Sequence, residues 1–445
     1  MKKTALLLSL TLLFSSVMGM VPCNMAYALE AGVATIEITP PVGVKLWGYQ
    51  LRKDPSTGVL DPLYAKAVVF DDGETRAALV SLDLGRTPPD EYISRIRNMV
   101  KEKFQIEQTL LAATHTHSGP YFGFSDLPDE WIDEMCGRIT EVIGQAKEKT
   151  EPVKLFTGTG SIDLTYDRRV VNPDKSITMM WDNYERKPTT PVDQDIRILQ
   201  IRNESDHVIA TLVHYACHPV LSGPQNLLIS ADFPVSLYSH VERELGGTCI
   251  YLQGACGNIN PYMAAILSRD PEKGYEEIKK EGEKLGREVV RISRELKPVV
   301  AENFSIHTHS SCTPLKLRYP LEDRRIQDVL DGLYSREWIE EFSKADKHEL
   351  TAETSIVTLG DAVAWVGFPG EFWDDFQKDL RQRSPIPQTY FVGYCNGYLS
   401  YFPTIQAAAE GGYGADYGLL TEPGAGERLL DQTIIDLYRI LGVFD

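Results

Sequence analysis

The sequence has no pair of cysteines at Cys-x-x-Cys spacing, although it holds seven cysteines in 445 residues. Thiolate zinc sites are commonly built on such pairs, so a site of that kind is not expected. Six of the cysteines follow the N-terminal leader described below. Six cysteines allow fifteen disulfide connectivities, and the sequence selects none of them.

Positive charge is also scarce. Lys and Arg number 45 against 63 Asp and Glu, which gives a formal net charge of −18. A chain this acidic is repelled by phosphate backbones and by anionic membrane surfaces. Nucleic acids and anionic membrane surfaces are therefore not the expected partners.

Long apolar runs are missing beyond the first residues. Two lysines precede an apolar run from Ala5 to about Phe14, and an Ala-Tyr-Ala cleavage signal ends at Ala28. This run is too short to span a bilayer, and no later run is long enough. We predict a signal peptide at residues 1–28 and secretion or periplasmic export of residues 29–445 without an integral membrane segment.

The chain shows no internal repeat, low-complexity tract or Pro/Ser-rich linker, so residues 29–445 are predicted to form one domain. Strand and helix signals alternate, which predicts an α/β fold. The clearest predicted elements are hairpins within 67–82 and 354–366, paired strands at 196–201 and 208–215, and helices at 88–104, 129–149, 272–296 and 427–441.

The strongest chemical signal is Thr-His-Thr-His-Ser-Gly-Pro at residues 114–120, behind the apolar run 109–113. If that run is a strand, His115 and His117 leave it on the same face, because side chains alternate. The Ser-Gly-Pro that follows predicts a turn. Paired imidazoles at a strand end suit a metal site or an acid/base site.

The same His-x-His spacing occurs at His307 and His309, inside a stretch rich in Ser and Thr. We interpret this second pair as part of a solvated strand. The spacing alone therefore does not identify a site.

Three further residues lie at predicted strand ends or turns. His218 precedes a proline and ends an apolar strand, Glu371 follows Pro-Gly before a predicted helix, and Tyr401 lies in an aromatic, turn-rich segment. Two imidazoles, a carboxylate and a phenolate would suit zinc, and also manganese or iron. Such a metal polarises a carbonyl and makes hydroxide available near neutral pH.

Each of these residues also has an ordinary structural explanation. His218 could be a hydrogen-bonded core histidine, Glu371 an acidic residue in the first turn of a helix, and Tyr401 a packing residue. Arg168 could hold a substrate oxygen with its fork of donors, or it could be a surface charge. The residues alone leave both interpretations open.

Five motifs, in this order along the chain, resemble the neutral (non-lysosomal) ceramidase family. They are Thr-His-Thr-His-Ser-Gly-Pro at 114–120, His-Pro at 218–219, Gln-Gly-Ala-Cys-Gly-Asn-Ile-Asn-Pro at 253–261, Pro-Gly-Glu-Phe at 369–372 and Asn-x-Tyr-x-x-Tyr-x-x-Thr at 396–404. The segment 32–41 resembles the opening strand of that family. The resemblance covers nearly all of residues 29–445 and implies an α/β domain with a large mixed sheet and flanking helices.

The resemblance also implies the identity of the metal and of its ligands. The family binds one zinc through two histidines, a glutamate and a tyrosine. By motif these fall on His115, His218, Glu371 and Tyr401, with Tyr398 as the alternative tyrosine.

Three catalytic residues follow from the same resemblance. His117 is expected to face the substrate, and Tyr413 to stabilise the reacting carbonyl oxygen. Arg168 is expected to contact the substrate.

Two features depart from the family. Asn258 and Asn260 stand where the family has an aspartate and a serine once proposed as a nucleophile. An amide cannot act as that nucleophile, so zinc-activated water is the expected attacking group. Family members also typically carry a C-terminal β-sandwich domain, which we do not expect in this chain.

The expected function is that of a secreted zinc-dependent hydrolase that attacks the amide of an N-acylsphingosine-like substrate. Because Asn258 and Asn260 could hydrogen-bond a polar substrate, hydrolysis of another amide or of a glycoside is an alternative. A non-catalytic secreted metal-binding protein is a second alternative.

Overall fold

The computed structural model describes residues 29–49, 52–122, 127–264, 271–345 and 348–444. The predicted signal peptide lies outside the described residues. Among the helices that the structure describes, none is both long and apolar enough to cross a membrane.

The described residues form strands and helices in alternation. The strands are β1 Glu30–Glu37, β2 Gly58–Val59, β3 Tyr64–Asp71, β4 Arg76–Leu82, β5 Gln108–Ala113, β6 Glu151–Ser161, β7 Thr165–Asp167, β8 Arg169–Val171, β9 Ile177–Met179, β10 Asp195–Asn203, β11 Val208–Tyr215, β12 Leu228–Ile229, β13 Thr248–Gln253, β14 Ile259–Pro261, β15 Lys297–Pro298, β16 Ile306–Lys316, β17 Glu349–Leu359, β18 Val363–Gly367, β19 Glu371–Phe372, β20 Gln388–Val392 and β21 Tyr401–Phe402. The helices are α1 Asp90–Phe104, α2 Asp129–Glu148, α3 Phe233–Leu245, α4 Pro271–Ile292, α5 Arg324–Leu333, α6 Arg336–Lys344, α7 Asp374–Arg383, α8 Ile405–Glu410 and α9 Ala425–Ile440.

Two mixed sheets form the centre of the fold. In the described residues the larger sheet has nine strands, eight of them in the order β13-β11-β10-β6-β1-β3-β4-β5, while β15 pairs with β6. The smaller sheet has the order β16-β17-β18-β20. Parallel pairs join β4 to β5, β11 to β13 and β18 to β20, and the other pairs within these two sheets are antiparallel.

The two sheets pack face to face between helices. Phe70 of the large sheet stacks on Trp365 of the small sheet with ring centroids 5.1 Å apart, inside a buried apolar cluster drawn from both sheets. The opposite face of the large sheet packs against α1, α2, α3 and α4, while α7 and α9 contact the small sheet. Successive side chains of a strand point to opposite faces of its sheet. Val68 and Val69, neighbours in β3, therefore belong to different apolar clusters, one on each face of the large sheet.

The predicted α/β fold with a large mixed sheet and flanking helices is confirmed. The predicted hairpins, paired strands and four helices all correspond to observed elements within a few residues of their ends. One of the alternative explanations for a candidate site residue is excluded. Glu371 lies in the short strand β19, and helix α7 begins at Asp374, so Glu371 is not a residue of the first helical turn.

A buried acid lies directly after strand β4. Asp83 follows β4 and accepts hydrogen bonds from Tyr64 N and the Tyr238 hydroxyl, both at 3.0 Å. Burial raises the pKa of Asp83 to about 7, although the nearby Lys66 ammonium acts in the opposite direction. The folded chain therefore binds a proton at Asp83 in a pH range where the unfolded chain has released it.

This shift predicts a pH-dependent stability that Asp83→Asn removes. Because the folded-state pKa is raised, the contribution of Asp83 to the free energy of unfolding falls as pH rises from about 4 to 7. Between pH 5 and 8, wild type should lose on the order of 2 kcal/mol relative to the variant. Denaturant titrations at both pH values measure the free energies of unfolding, and Asp54→Asn, at an exposed position, is the control. An equal change of this free energy with pH in wild type and in Asp83→Asn would contradict the raised pKa of Asp83.

Candidate metal centre

His115 and His117 lie in the loop after β5, which ends at Ala113. His115 has a left-handed backbone with φ 71°. The expectation that alternation along a strand places both imidazoles on one face is therefore wrong, because the chain has already left the strand. The turn brings the two rings together instead, with Nε2 atoms 3.3 Å apart.

Two imidazoles converge on one oxygen of Glu371. The Nε2 atoms of His115 and His218 lie 3.4 and 3.2 Å from Glu371 Oε2, and all three side chains are buried. Tetrahedral zinc with bonds of about 2.0–2.1 Å separates neighbouring ligand atoms by about 3.3 Å. The spacing of these atoms therefore fits a single metal ion.

The second nitrogen of each imidazole is held by a backbone carbonyl. His115 Nδ1 lies 2.6 Å from Gly85 O, and His218 Nδ1 lies 2.8 Å from Ile259 O. A carbonyl only accepts, so both histidines carry their proton on Nδ1, and both Nε2 lone pairs point at the carboxylate. Two lone pairs and an anion at this distance repel one another, and a bound cation would remove that repulsion.

The protonation states agree with a ligand role. Burial disfavours the charge of Glu371, but the positive charge that His115 and His218 carry when protonated lowers the pKa of its carboxyl well below the usual range. Burial lowers the pKa of His218 to about 4, and the charge of Arg168 acts in the same direction. Metal ligands must be deprotonated, and these groups meet that requirement at neutral pH.

Tyr401 is placed beside Glu371 by backbone pairing. Strands β19 and β21 form a parallel ladder in which Glu371 and Tyr401 are partners. Arg168 Nη2 donates to the Tyr401 hydroxyl at 3.0 Å. Burial raises the pKa of Tyr401 well above its usual value, and Arg168 opposes this shift. The role of Tyr401 as the fourth ligand stays a prediction.

Two other tyrosines also contact the ligand cluster. Tyr398 donates its hydroxyl to Glu371 Oε1. Tyr394 stacks on His115 with centroids 4.0 Å apart, and its hydroxyl lies 3.5 Å from Glu371 Oε2. Tyr394 belongs to none of the five motifs, and its place beside the tyrosine-rich segment 396–404 is the one signal in the sequence that could have indicated a role.

His117 differs from its two neighbours. With His115 and His218 it forms a cluster of three imidazoles whose donor atoms lie within 4.8 Å of one another, so it could also hold a metal. Its Nδ1, however, is buried and has no hydrogen-bond partner within the part of the chain that the structure describes. Ligating histidines almost always donate this second N–H. The difference favours the predicted position of His117 toward the substrate.

Arg168 is buried and lies inside the site. Its guanidinium donates to Gly257 O at 2.7 Å as well as to Tyr401. Burial alone would lower the pKa of Arg168, but the oxygens of Tyr401 and Tyr413 raise it, so the charge persists. The Tyr413 ring lies edge-on to Tyr401 with centroids 5.3 Å apart.

The structure thus brings every predicted site residue into one region. These residues are His115, His117, Arg168, His218, Glu371, Tyr401 and Tyr413. Their ligand and catalytic roles stay predictions.

The two departures from the family pattern face protein groups. Asn258 Nδ2 donates to Asp167 Oδ2 and Asp374 Oδ1, both at 3.0 Å. Asn260 Oδ1 accepts from Arg168 Nη1 at 3.4 Å, and its amide nitrogen donates to a backbone carbonyl. Both side chains are buried, and both amides are bonded to protein groups.

The second His-x-His pair is a solvated strand, as predicted. His307 is exposed and His309 is partly exposed in β16, and the His309 side chain keeps 41% of its accessible surface. This pair supplies a matched control for the first.

Replacing His115 with Ala should abolish metal binding, because it removes a nitrogen that lies 3.4 Å from the Glu371 carboxylate. Elemental analysis of the purified proteins should give one zinc per chain in wild type and in His309→Ala, and none in His115→Ala. Full zinc occupancy in His115→Ala would contradict the ligand assignment.

Comparison with known proteins identifies relatives of this chain. Residues 29–249 match the family model described as neutral/alkaline non-lysosomal ceramidase, N-terminal. Neutral ceramidase B of Dictyostelium discoideum is 25% identical over 263 residues, which are 54% of this chain and 34% of that protein. Neutral ceramidase of Pseudomonas aeruginosa is 24% identical over 284 residues, which are 58% of this chain and 40% of that protein. The matched regions thus span between a third and two fifths of these relatives.

A solved structure extends the likeness of fold beyond residue 249. The crystal structure of neutral ceramidase from Pseudomonas aeruginosa superposes with a TM-score of 0.73 at 18% identity, covering 93% of this chain and 74% of that one. Glu371, Tyr401 and Tyr413 lie outside the range of the family model, whereas His115, His117, Arg168 and His218 lie inside it. Through residues 29–249, this chain belongs to the neutral/alkaline non-lysosomal ceramidase family.

Proposed function

We propose that this protein is a zinc-dependent hydrolase that cleaves the amide bond of an N-acylsphingosine-like lipid. The observation that carries the proposal is the convergence of His115, His218 and Glu371 at 3.2–3.4 Å, in a chain of the ceramidase family. His115, His218, Glu371 and Tyr401 would hold the ion. Bound there, zinc would supply a Lewis acid and lower the pKa of a water molecule.

The protein groups around the cluster fit the charge that develops during amide cleavage. Attack on a carbonyl creates an oxyanion, and buried donors aimed at it give the largest electrostatic effect. His117 and Tyr413 are the expected donors, since both lie beside the ligand cluster and neither is a predicted ligand. Arg168 places its positive charge beside Tyr401, and its hydrogen bond to the Tyr401 hydroxyl orients that oxygen.

A row of aromatic rings supports a substrate with an apolar part. Tyr413 makes edge contacts with Tyr401 on one side and with Tyr417 on the other, with centroids 5.3 and 5.6 Å apart. Tyr401 is buried, whereas Tyr417 is 45% exposed. Trp181 packs on Tyr413 at 5.4 Å. The rings extend from the buried site to the surface, where Tyr417 offers apolar area.

The two alternative functions have less support from the contacts in the site. A different polar substrate was suggested by Asn258 and Asn260, but both amides are bound to protein groups. A non-catalytic metal-binding protein needs the same ligands but no oxyanion donors.

Secretion or periplasmic export is part of the proposal, and N-terminal sequencing of the mature protein should begin at Leu29.

The test is hydrolysis of a short-chain fluorescent ceramide in detergent micelles by the purified mature protein. Wild type and His309→Ala should release sphingosine, and His115→Ala should lose at least 100-fold in kcat/KM because the metal is lost. A chelator should remove wild-type activity, and added zinc should restore it.

The outcomes separate the alternatives. Zinc-dependent hydrolysis of another amide or of a glycoside, with ceramide untouched, would overturn the substrate but keep the hydrolase. Bound zinc without turnover of any of these substrates would favour the binding protein.

A further inference from the structure

The two oxygens of Glu371 have different partners. Oε2 faces His115 Nε2 and His218 Nε2 at 3.4 and 3.2 Å. Oε1 accepts the hydroxyl of Tyr398, which is buried. A carboxylate can bind a metal through one oxygen or through both. The partner of Oε1 therefore bears on how many oxygens Glu371 gives to the ion.

Tyr398 is held in place by a column of rings. Its ring lies nearly parallel to Tyr394, at 6.2 Å and 16°, and Tyr394 in turn stacks on His115 at 4.0 Å and 21°. Trp47 packs edge-on against Tyr398, with ring centroids 5.4 Å apart. The buried Arg86 guanidinium lies 5.9 Å from the Tyr398 ring centre.

This packing restricts movement of the Tyr398 hydroxyl. Arg86 is itself fixed, since it donates to Leu333 O at 2.9 Å and lies over Trp47. Rings packed on several sides leave few rotamers, so the hydroxyl stays directed at Glu371 Oε1. The column thus links the orientation of one predicted ligand, His115, to that of another, Glu371.

We infer that Tyr398 is a positioning residue that limits Glu371 to binding the metal through Oε2 alone, and that it thereby keeps the coordination number low. The inference rests on the proposed function for the presence of the metal. A low coordination number with nitrogen and oxygen donors favours zinc, whereas a second carboxylate oxygen favours ions that prefer six ligands, such as manganese. Tyr398 is then a determinant of metal selectivity.

The test replaces zinc with cobalt(II), whose visible absorption weakens as coordination number rises. Wild type loaded with cobalt should give the intense spectrum of a low-coordinate ion. Tyr398→Phe removes only the hydroxyl, so Oε1 is free to bind the ion and the absorption should weaken. Zinc affinity, measured by competition with a chelator, should fall on the order of 10- to 100-fold, as for loss of other groups that orient ligands.

Two control variants isolate the effect. Tyr390→Phe removes a buried hydroxyl in β20 that contacts Thr157 and Ile198 O instead of the cluster, and its spectrum should match wild type. Tyr394→Phe removes the hydroxyl that donates to Oε2 at 3.5 Å and leaves Oε1 bound to Tyr398, so the intense spectrum should persist. Dialysis against equal concentrations of manganese and zinc should leave zinc bound to wild type, and it should increase the fraction of bound metal that is manganese in Tyr398→Phe.

The outcomes distinguish this inference from the proposed function. A wild-type protein that binds no cobalt would overturn both. Bound cobalt with identical spectra and zinc affinities in wild type and Tyr398→Phe would overturn the role of Tyr398 alone. A weak, high-coordinate spectrum in wild type would also overturn it, and this result does not require that the variant fold.

Discussion

The arrangement of the site depends on hydrogen bonds made by one short segment, residues 253–261. The Gln253 amide donates to Thr114 O at 3.0 Å and to Cys217 O at 2.8 Å. These carbonyls belong to the residues directly before His115 and His218. One buried side chain at the end of β13 therefore holds both histidine loops, which come from distant parts of the sequence.

The same segment also fixes the remaining groups. Gly257 N donates to Phe372 O at 2.8 Å, next to Glu371, and Gly257 O accepts from Arg168. Ile259 O orients His218. This accounts for Asn260 in place of a serine. Gly257 and Ile259 act through backbone groups, which remain when the side chain at position 260 changes, so these contacts do not require a hydroxyl there.

Much of the fold could be predicted from the sequence, whereas the site could be only in part. Helices such as α1 and hairpins such as β17–β18 follow from local periodicity and turn residues, which are properties of neighbouring positions. The site arises from pairing between distant segments. No local pattern shows that Glu371 pairs with Tyr401, or that His115 has a left-handed backbone. Nor does a local pattern show that the Tyr394 ring stacks on the His115 ring. The family motifs supplied the residues, and packing determined their contacts.

The ladder between β19 and β21 sets which parts of the chain are free to change length. Glu371 and Tyr401 are neighbours because their backbones pair, so their separation is that of adjacent strands and does not depend on the segment that connects them. That segment passes through α7, and the turn after this helix is exposed at Arg383 and Pro387, whereas Ile386 between them is buried. Insertions at this turn would lengthen the chain without separating the two side chains. The turn is thus a point where evolution or engineering could add sequence while the centre stays unchanged.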